Sequence, residues 1–400
     1  MNPIKTLFCR TFQTVLRIAL PILPYRDPKV LGSVQEIPGE LAKRSYSRVL
    51  LVTDNYLHSS GMLESLKEAL KENNIFYTIY DKTVPNPTIT NVEEARELYI
   101  ADDCQALIGF GGGSAIDCAK AVGARIARPR KSIQKMKGIL QIVLPIPYLI
   151  AVPTTAGTGS ETTLATVITD DKTSHKFPIS DFPLIPRVAV LDPEMTRNLP
   201  KNLTSTTGMD ALTHAIEAYI GRSTTKETRS NALEAARLIA ENLEQAYIDG
   251  NDMNARANML KAAFLAGSAF SKSYVGYCHA VAHSLGGQYH IPHGLANAVL
   301  LPYVLEAYGE NIYKKGKEIA VAMHVAEESA SEKDATVALI AHIRAMNANM
   351  QIPETLPGIQ EEDIHQLAVY AEKEANPLYP VPKLMTAVEL EKFYEQVLAR

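Results

Sequence analysis

The sequence predicts an α/β domain built on a parallel, Rossmann-like sheet, followed by an all-helical domain, and three observations predict it. Residues 48–53 (RVLLVT) are apolar and β-branched without alternation and close at Asp54, as a strand covered on both faces does. A strand-helix rhythm then continues into a glycine cluster at residues 109–113. From Gly208 onward strand-like runs nearly vanish and helical periodicity takes over.

Taken in order, residues 6–24 form an amphipathic helical stretch with Phe8, Phe12, Val15, Leu16, Ala19 and Leu20 on one broad face. Lys5, Arg10, Gln13 and Arg17 argue against a membrane-spanning helix. Packing on protein, on the body or on a second subunit, is expected in preference to contact with a membrane surface. The strand at 48–53 is followed by a helix over 62–72, a strand over 75–80, a helix over 92–100 and a strand over 106–110. A glycine-rich turn leads into a helix over 115–124. The apolar stretch 139–152 is broken by Pro145 and Pro147 and is shorter than the roughly 20 residues a span requires, so its end, 148–152, reads as a buried strand. Residues 189–191 form the last short strand. A boundary falls in the Pro/Asn/Ser/Thr-rich segment 198–207, and helices are expected over 209–219, 225–248, 255–270, 279–286 and 296–305, with more beyond.

Composition narrows the function. A chain of 400 residues with 46% apolar and 21% charged residues is neither disordered nor fibrous. Its net charge of −4 offers no basic surplus for phosphates, which sets nucleic acid aside and favours a small-molecule partner. Cys9, Cys104, Cys118 and Cys278 are widely spaced and form no CxxC pair, which suits a reducing, cytoplasmic setting.

Gly109-Phe110-Gly111-Gly112-Gly113-Ser114 lies between a strand and a helix, where bare amides and a helix N-terminus can hold a pyrophosphate. Glycines also serve tight turns for steric reasons alone, so the context matters. Asp54 closes the first strand, where a carboxylate can accept from a ribose 2′-hydroxyl and would repel a 2′-phosphate, favouring NAD over NADP; it can equally be a helix cap. Residues 153–161 (PTTAGTGSE) follow another strand and bring a second set of hydroxyls and glycines to the carboxyl edge of the sheet. In the helical half, Asp210 and His214 stand four apart on one helix face, His279 and His283 repeat that spacing, and His293 follows. One carboxylate with three or four imidazoles suits a divalent Fe or Zn, with His290 the surplus histidine.

Taken together, GGGSAIDCAKA, PTTAGTGSE, GMDALTHAIEAY and HAVAHSLGGQYHIPHGLANAVLLP resemble the iron-containing (group III) alcohol dehydrogenase family over residues 30 to 400. The resemblance implies a dehydroquinate synthase-like fold: an NAD-binding α/β domain over 26–197 and a helical metal-binding domain over 198–400; the amphipathic extension of residues 1–25 has no counterpart in the family's pattern and is expected to bear on assembly or location. It places the metal ligands on Asp210, His214, His279 and His293, with Fe(II) preferred and Zn(II) an alternative, and makes His283 a proton relay rather than a ligand. It places nucleotide contacts on Asp54, Asn86, Gly111, Gly112, Gly113, Ser114, Asp117, Thr154, Thr155, Thr163 and Lys176, and Phe270 in the substrate pocket. Lys272 and Tyr274 stand where such relatives carry small residues, so Tyr274 is expected to narrow that pocket; Leu164 and Ala165 fall on variable loop positions. The implied reaction is hydride transfer between a primary alcohol or aldehyde and NAD(H), in a homodimer or larger homo-oligomer. Glycerol dehydrogenases and the lyase-type dehydroquinate synthases share the fold. The synthase would need extra Lys and Arg for a carboxylated sugar phosphate, and only Lys272 answers near His279 and His293. A silent nucleotide-binding protein would be expected to have lost a ligand, and none is missing.

Overall fold

The computed structural model describes residues 1–173 and 175–399. It divides into two compact units, one of residues 24–198 and one that joins residues 1–23 to residues 199–400. Helix α1 (Pro3–Ala19) therefore belongs to the second unit.

In the α/β unit, β1 (Lys29–Leu31), α2 (Ile37–Ala42), β2 (Arg48–Val52), α3 (Asn55–Ser59), α4 (Glu64–Glu72), β3 (Phe76–Tyr80), α5 (Ile89–Ala101), β4 (Ala106–Gly111) and α6 (Gly113–Ala127) follow in order. Then come β5 (Gly138–Ile139), β6 (Tyr148–Pro153), β7 (Ala165–Thr169), β8 (Lys176–Ser180) and β9 (Val188–Val190). Six strands form a parallel sheet in the order β1-β9-β6-β4-β2-β3. The unbroken apolar run at β2 has its cause in two-sided cover. Leu50 and Val52 pack with Val92 and Ala95 of α5 and Cys118 and Val122 of α6, while Val49 and Leu51 pack on the other face with Leu41 of α2 and Leu66 and Leu70 of α4. The chain leaves β2 towards β3 and returns to place β4 on the other side of β2, so the strand order reverses between β2 and β4, the place where open parallel sheets bind ligands.

The small sheet β5-β8-β7 adds an antiparallel hairpin of β7 and β8 beside the parallel sheet's connections. Lys120 of α6, fully buried, donates from Nζ to the carbonyls of Thr163 and Ala165 and to Thr163 Oγ1, pinning the segment that enters β7. Burial pushes the Lys120 ammonium down to about 8, against the pull of Asp117 and Glu161.

The second unit is helical: α7 (Lys201–Ile220), α8 (Lys226–Ile248), α9 (Met253–Ser273), α10 (Tyr277–Tyr289), α11 (His293–Tyr308), α12 (Tyr313–Ala322), α13 (Glu332–Asn349), α14 (Ile364–Ala375) and α15 (Ala387–Val397). Every residue of α7 from Gly208 to Ile220 is buried, so polar side chains there are committed to the interior. α1 docks on this unit by the side that carries Cys9, Gln13 and Leu20, all buried, while Phe8, Phe12 and Val15 stay exposed. The single broad apolar face read from the sequence is thus split: Leu20 docks, Leu16 and Ala19 are half-buried, and the rest faces outward. Polar bonds explain why: Gln13 Nε2 donates to the carbonyls of Pro377 and Tyr379, and Arg10 to those of Val381 and Pro382. Among the described residues, no helix is long and apolar enough to cross a membrane.

Candidate active site: a four-donor cluster and a glycine-rich strand edge

Asp210, His214, His279 and His293 converge in the helical unit, each offering one donor atom, with all four atoms within 4.8 Å of one another. Helical spacing places the first two on one face of α7. α10 brings His279, and His293 opens α11. α11 can approach α7 this closely because Gly294 follows: a Cβ there would stand 2.5 Å from the Thr206 carbonyl oxygen. Asp210 Oδ1 lies 3.5 Å from His293 Nε2 and 3.9 Å from His279 Nε2. Four ligands at about 2.1 Å from a tetrahedral ion stand about 3.4 Å apart, so these separations suit a divalent cation.

Three features of the donor set point the same way. His279 Nε2 is buried without a hydrogen-bond partner, an expensive arrangement unless a Lewis acid meets it. Burial, reinforced by the neighbouring imidazoles of His214, His293 and His283, holds His279 well below the ordinary histidine range. Burial also lowers His293 to about 4, although Asp210 pulls it up. Neutral imidazoles are the metal-binding form.

Glu217, not singled out from the sequence, orients this centre. Its carboxylate receives Gly276 N at 2.7 Å and Cys278 N at 2.8 Å, and His279 Nδ1 lies 2.6 Å away. That contact fixes His279 with Nε2 as its free donor atom. Burial raises Glu217 to about 7 even though the three N–H groups lower it. A signal was present: Glu217 lies seven residues after Asp210 and three after His214, on the same face of a buried helix. We expect Glu217→Gln to weaken metal retention by roughly 10- to 100-fold, because an amide cannot accept from all three partners at once; dialysis against graded chelator with metal analysis reads this out. Asn297, four residues after His293, donates from Nδ2 to Asp210 Oδ1 at 2.7 Å.

His283 lies beside the cluster. Its ring stacks on His293 with centroids 5.1 Å apart, and its Nδ1 lies 2.6 Å from Glu374 Oε1. Tyr379 donates its hydroxyl to the same oxygen. Burial works against a charge on His283, but Glu374 outweighs it and the net shift is upward. Glu374 lies 91 residues further on, beyond the reach of any local pattern. His290 ends α10 in a left-handed conformation. Phe270 stacks on His214 at 4.0 Å with the planes 12° apart. Tyr274 caps α9 at φ 62°, an uncommon backbone for an aromatic residue and the kind found at functional sites. Lys272 is tied to Glu227 at 2.6 Å.

In the α/β unit, Gly111 closes β4, and Asp54 and Thr154 follow the neighbouring strands β2 and β6, all three at the carboxyl ends of the sheet. Asp54 Oδ1 caps α3 by accepting from Leu57 N, while Oδ2 lies 3.9 Å from where a Cβ on Gly111 would stand. Gly112 is the N-cap of α6 and supplies no side-chain cap, which leaves the first amides of that helix to other acceptors. Thr155 Oγ1 is buried beside this turn without a partner, 3.7 Å from the Cβ position of Gly112. A Cβ on Gly113 would stand 3.1 Å from Thr158. Asn86, at φ 58°, donates its amide to Ser114 Oγ.

Other residues assigned to the nucleotide from the sequence have their polar atoms engaged. Asp117 accepts from Ser160 Oγ at 2.6 Å and from Val167 N at 2.9 Å, and Thr163 Oγ1 accepts from Lys120. Thr154 N donates to the Gly111 carbonyl. Lys176 opens β8, and burial lowers its ammonium. Gly111 adopts φ +150° and a Cβ there would stand 2.8 Å from Ala115 Cβ, so Gly111→Ala is expected to raise the dissociation constant for NAD by about tenfold or more, read by NADH fluorescence titration.

Comparison with known proteins gives a consistent picture. The model of the iron-containing alcohol dehydrogenase family matches residues 30–193, and that of the C-terminal domain of Fe-containing alcohol dehydrogenases matches residues 204–398. Alcohol dehydrogenase 4 of Saccharomyces cerevisiae is 38% identical over 370 residues, covering 91% of this chain and 95% of the yeast protein. The NAD-dependent methanol dehydrogenase of Bacillus methanolicus is 36% identical over 342 residues, covering 84% and 89%. The solved alcohol dehydrogenase from Oenococcus oeni superposes with a TM-score of 0.89 at 33% identity, over 93% of this chain and 100% of that one.

Proposed function

The chain belongs to the iron-containing alcohol dehydrogenase family, and from that premise we propose that it interconverts a small primary alcohol and its aldehyde with NAD(H), using one divalent ion, Fe(II), held by Asp210, His214, His279 and His293. The observation that carries this reading is the buried four-donor cluster with its orphaned His279 Nε2. When bound, the ion supplies Lewis-acid polarisation of the substrate oxygen, and NAD supplies the hydride acceptor.

The chain's own residues do the rest. Glu217 orients His279 and keeps its donor atom fixed. Phe270, stacked on His214, lines the substrate's carbon skeleton with an apolar wall, and Tyr274 limits its length. His283, with Nδ1 held by Glu374, takes the alcohol's proton at Nε2 and passes it to water. Gly111–Ser114 and the amides that open α6 receive the pyrophosphate, with Thr155 Oγ1 as a further donor. Asp54 Oδ2 accepts from the ribose 2′-hydroxyl and disfavours a 2′-phosphate. The tie of Lys272 to Glu227 speaks against the lyase reading, which needs that cation for substrate. Four free, buried cysteines suit a cytoplasmic, reducing setting.

The test is NAD-dependent oxidation of a series from methanol to butanol, with 1,3-propanediol and glycerol. We expect turnover on a primary alcohol, with NAD favoured over NADP by about tenfold or more. NAD binding without turnover of any alcohol would overturn the reading.

A further inference from the structure

His58 stands at the carboxyl edge of the parallel sheet with one ring nitrogen held and the other free. It lies in α3, four residues after Asp54, and its amide donates to the Asp54 carbonyl at 3.1 Å. The two side chains therefore leave the same side of one helical turn, with Cβ atoms about 6 Å apart. His58 Nδ1 lies 2.6 Å from Oδ2 of Asp81, the residue that follows β3. β3 pairs with β2 in register, Tyr80 opposite Val52, so Asp81 and Asp54 leave neighbouring strands at the same edge. A carboxylate only accepts, so Nδ1 carries the proton, and the neutral ring presents Nε2 as a lone-pair acceptor. Among the described residues nothing bonds Nε2, and the side chain is 34% exposed. As a tie between α3 and β3 alone, a pair exposed to this degree adds little stability. What it does is hold an imidazole in one tautomer beside Asp54.

Asp54 has one oxygen to offer a ligand. Oδ1 caps α3 by accepting from Leu57 N, which leaves Oδ2. The adenosine ribose of NAD carries two adjacent hydroxyls, each a donor, and one carboxylate oxygen answers one of them. We propose that His58, positioned by Asp81, is the second acceptor: its Nε2 takes the hydrogen bond of the ribose 3′-hydroxyl while Asp54 Oδ2 takes that of the 2′-hydroxyl. The inference rests on the proposed assignment of Asp54 to the ribose. The order of the sheet supports the placement. The glycine turn assigned to the pyrophosphate ends β4, Asp54 follows the next strand, β2, and Asp81 follows β3, the strand beyond. Phosphates, ribose and the His58–Asp81 pair thus fall in sequence along one edge.

The test is fluorescence titration of the full-length enzyme with NADH and with the NADH analogue whose adenosine ribose lacks the 3′-hydroxyl. The parent enzyme is expected to bind NADH about tenfold more tightly than the analogue, the worth of one well-made hydrogen bond. His58→Ala is expected to bind NADH about tenfold more weakly than the parent and to hold the two nucleotides equally, within about twofold. Asp81→Ala, which releases the ring without removing it, is expected to cut the discrimination to about threefold. A general loosening of the site would weaken both nucleotides alike and leave their ratio at the parent's value. Undiminished discrimination by His58→Ala, or equal binding of the two nucleotides by the parent, would overturn the proposal. Asp54→Ala separates the inference from its premise. Weakened NADH binding by that variant, beside undiminished discrimination in His58→Ala, removes His58 and leaves the ribose assignment standing. Undiminished NADH affinity in Asp54→Ala removes both.

Discussion

Asp210→Ala and His279→Ala are each expected to leave a folded protein that has lost its divalent ion and at least about a thousandfold in kcat/KM. Asp210 contributes the carboxylate of the four-donor set, and without it three imidazoles face a cation with no anion among them. Removing His279 takes away the donor whose Nε2 is otherwise orphaned and leaves the buried Glu217 without its imidazole partner. Metal content per chain, turnover and far-ultraviolet circular dichroism on the same samples separate loss of the ion from loss of the fold. Full metal occupancy in either variant would remove that residue from the centre.

His283→Ala is expected to behave differently: metal retained, and kcat lowered by about a hundredfold or more, the usual contribution of a positioned proton acceptor. The contrast between the two sets of variants distinguishes a relay from a ligand. Glu374→Gln refines it. Burial alone pushes the His283 imidazole down and Glu374 more than offsets this, so removing the carboxylate's charge lowers that pKa. His283 takes up the alcohol's proton only when neutral, so the rise of the oxidation rate with pH is expected to move to lower pH in Glu374→Gln. A pH profile identical to that of the parent enzyme would dissociate His283 from the proton.

Those elements whose cause is local were legible in the sequence. The unbroken run RVLLVT reads as a doubly covered strand because both neighbouring layers demand apolar side chains, and β2 meets that description. The turn after β4 is legible because Gly111 adopts a backbone that other residues avoid. Asp210 and His214 are legible because an α-helix puts residues four apart on one face. What remained hidden depends on distant partners. The β7–β8 hairpin escaped notice because Pro178 interrupts a strand pattern, and the fold tolerates it there because β5 pairs only with Ile179 and Ser180. Asp117 reads as a ligand contact within GGGSAIDCAKA, yet Ser160 and Val167, more than forty residues on, engage both its oxygens. Glu374 is invisible until α14 is packed beside α10. The docked side of α1 follows from carbonyls at residues 377–382, whose availability no periodicity in residues 3–19 announces.

The most direct measurement is metal restitution. Protein purified without oxygen and stripped with a chelator is assayed for NADH oxidation with a small aldehyde, before and after addition of Fe(II) or Zn(II), with bound metal measured at each stage. The account predicts negligible turnover in the stripped protein, recovery with about one Fe(II) per chain, and no recovery in Asp210→Ala. Undiminished turnover by protein shown to be free of metal would contradict it.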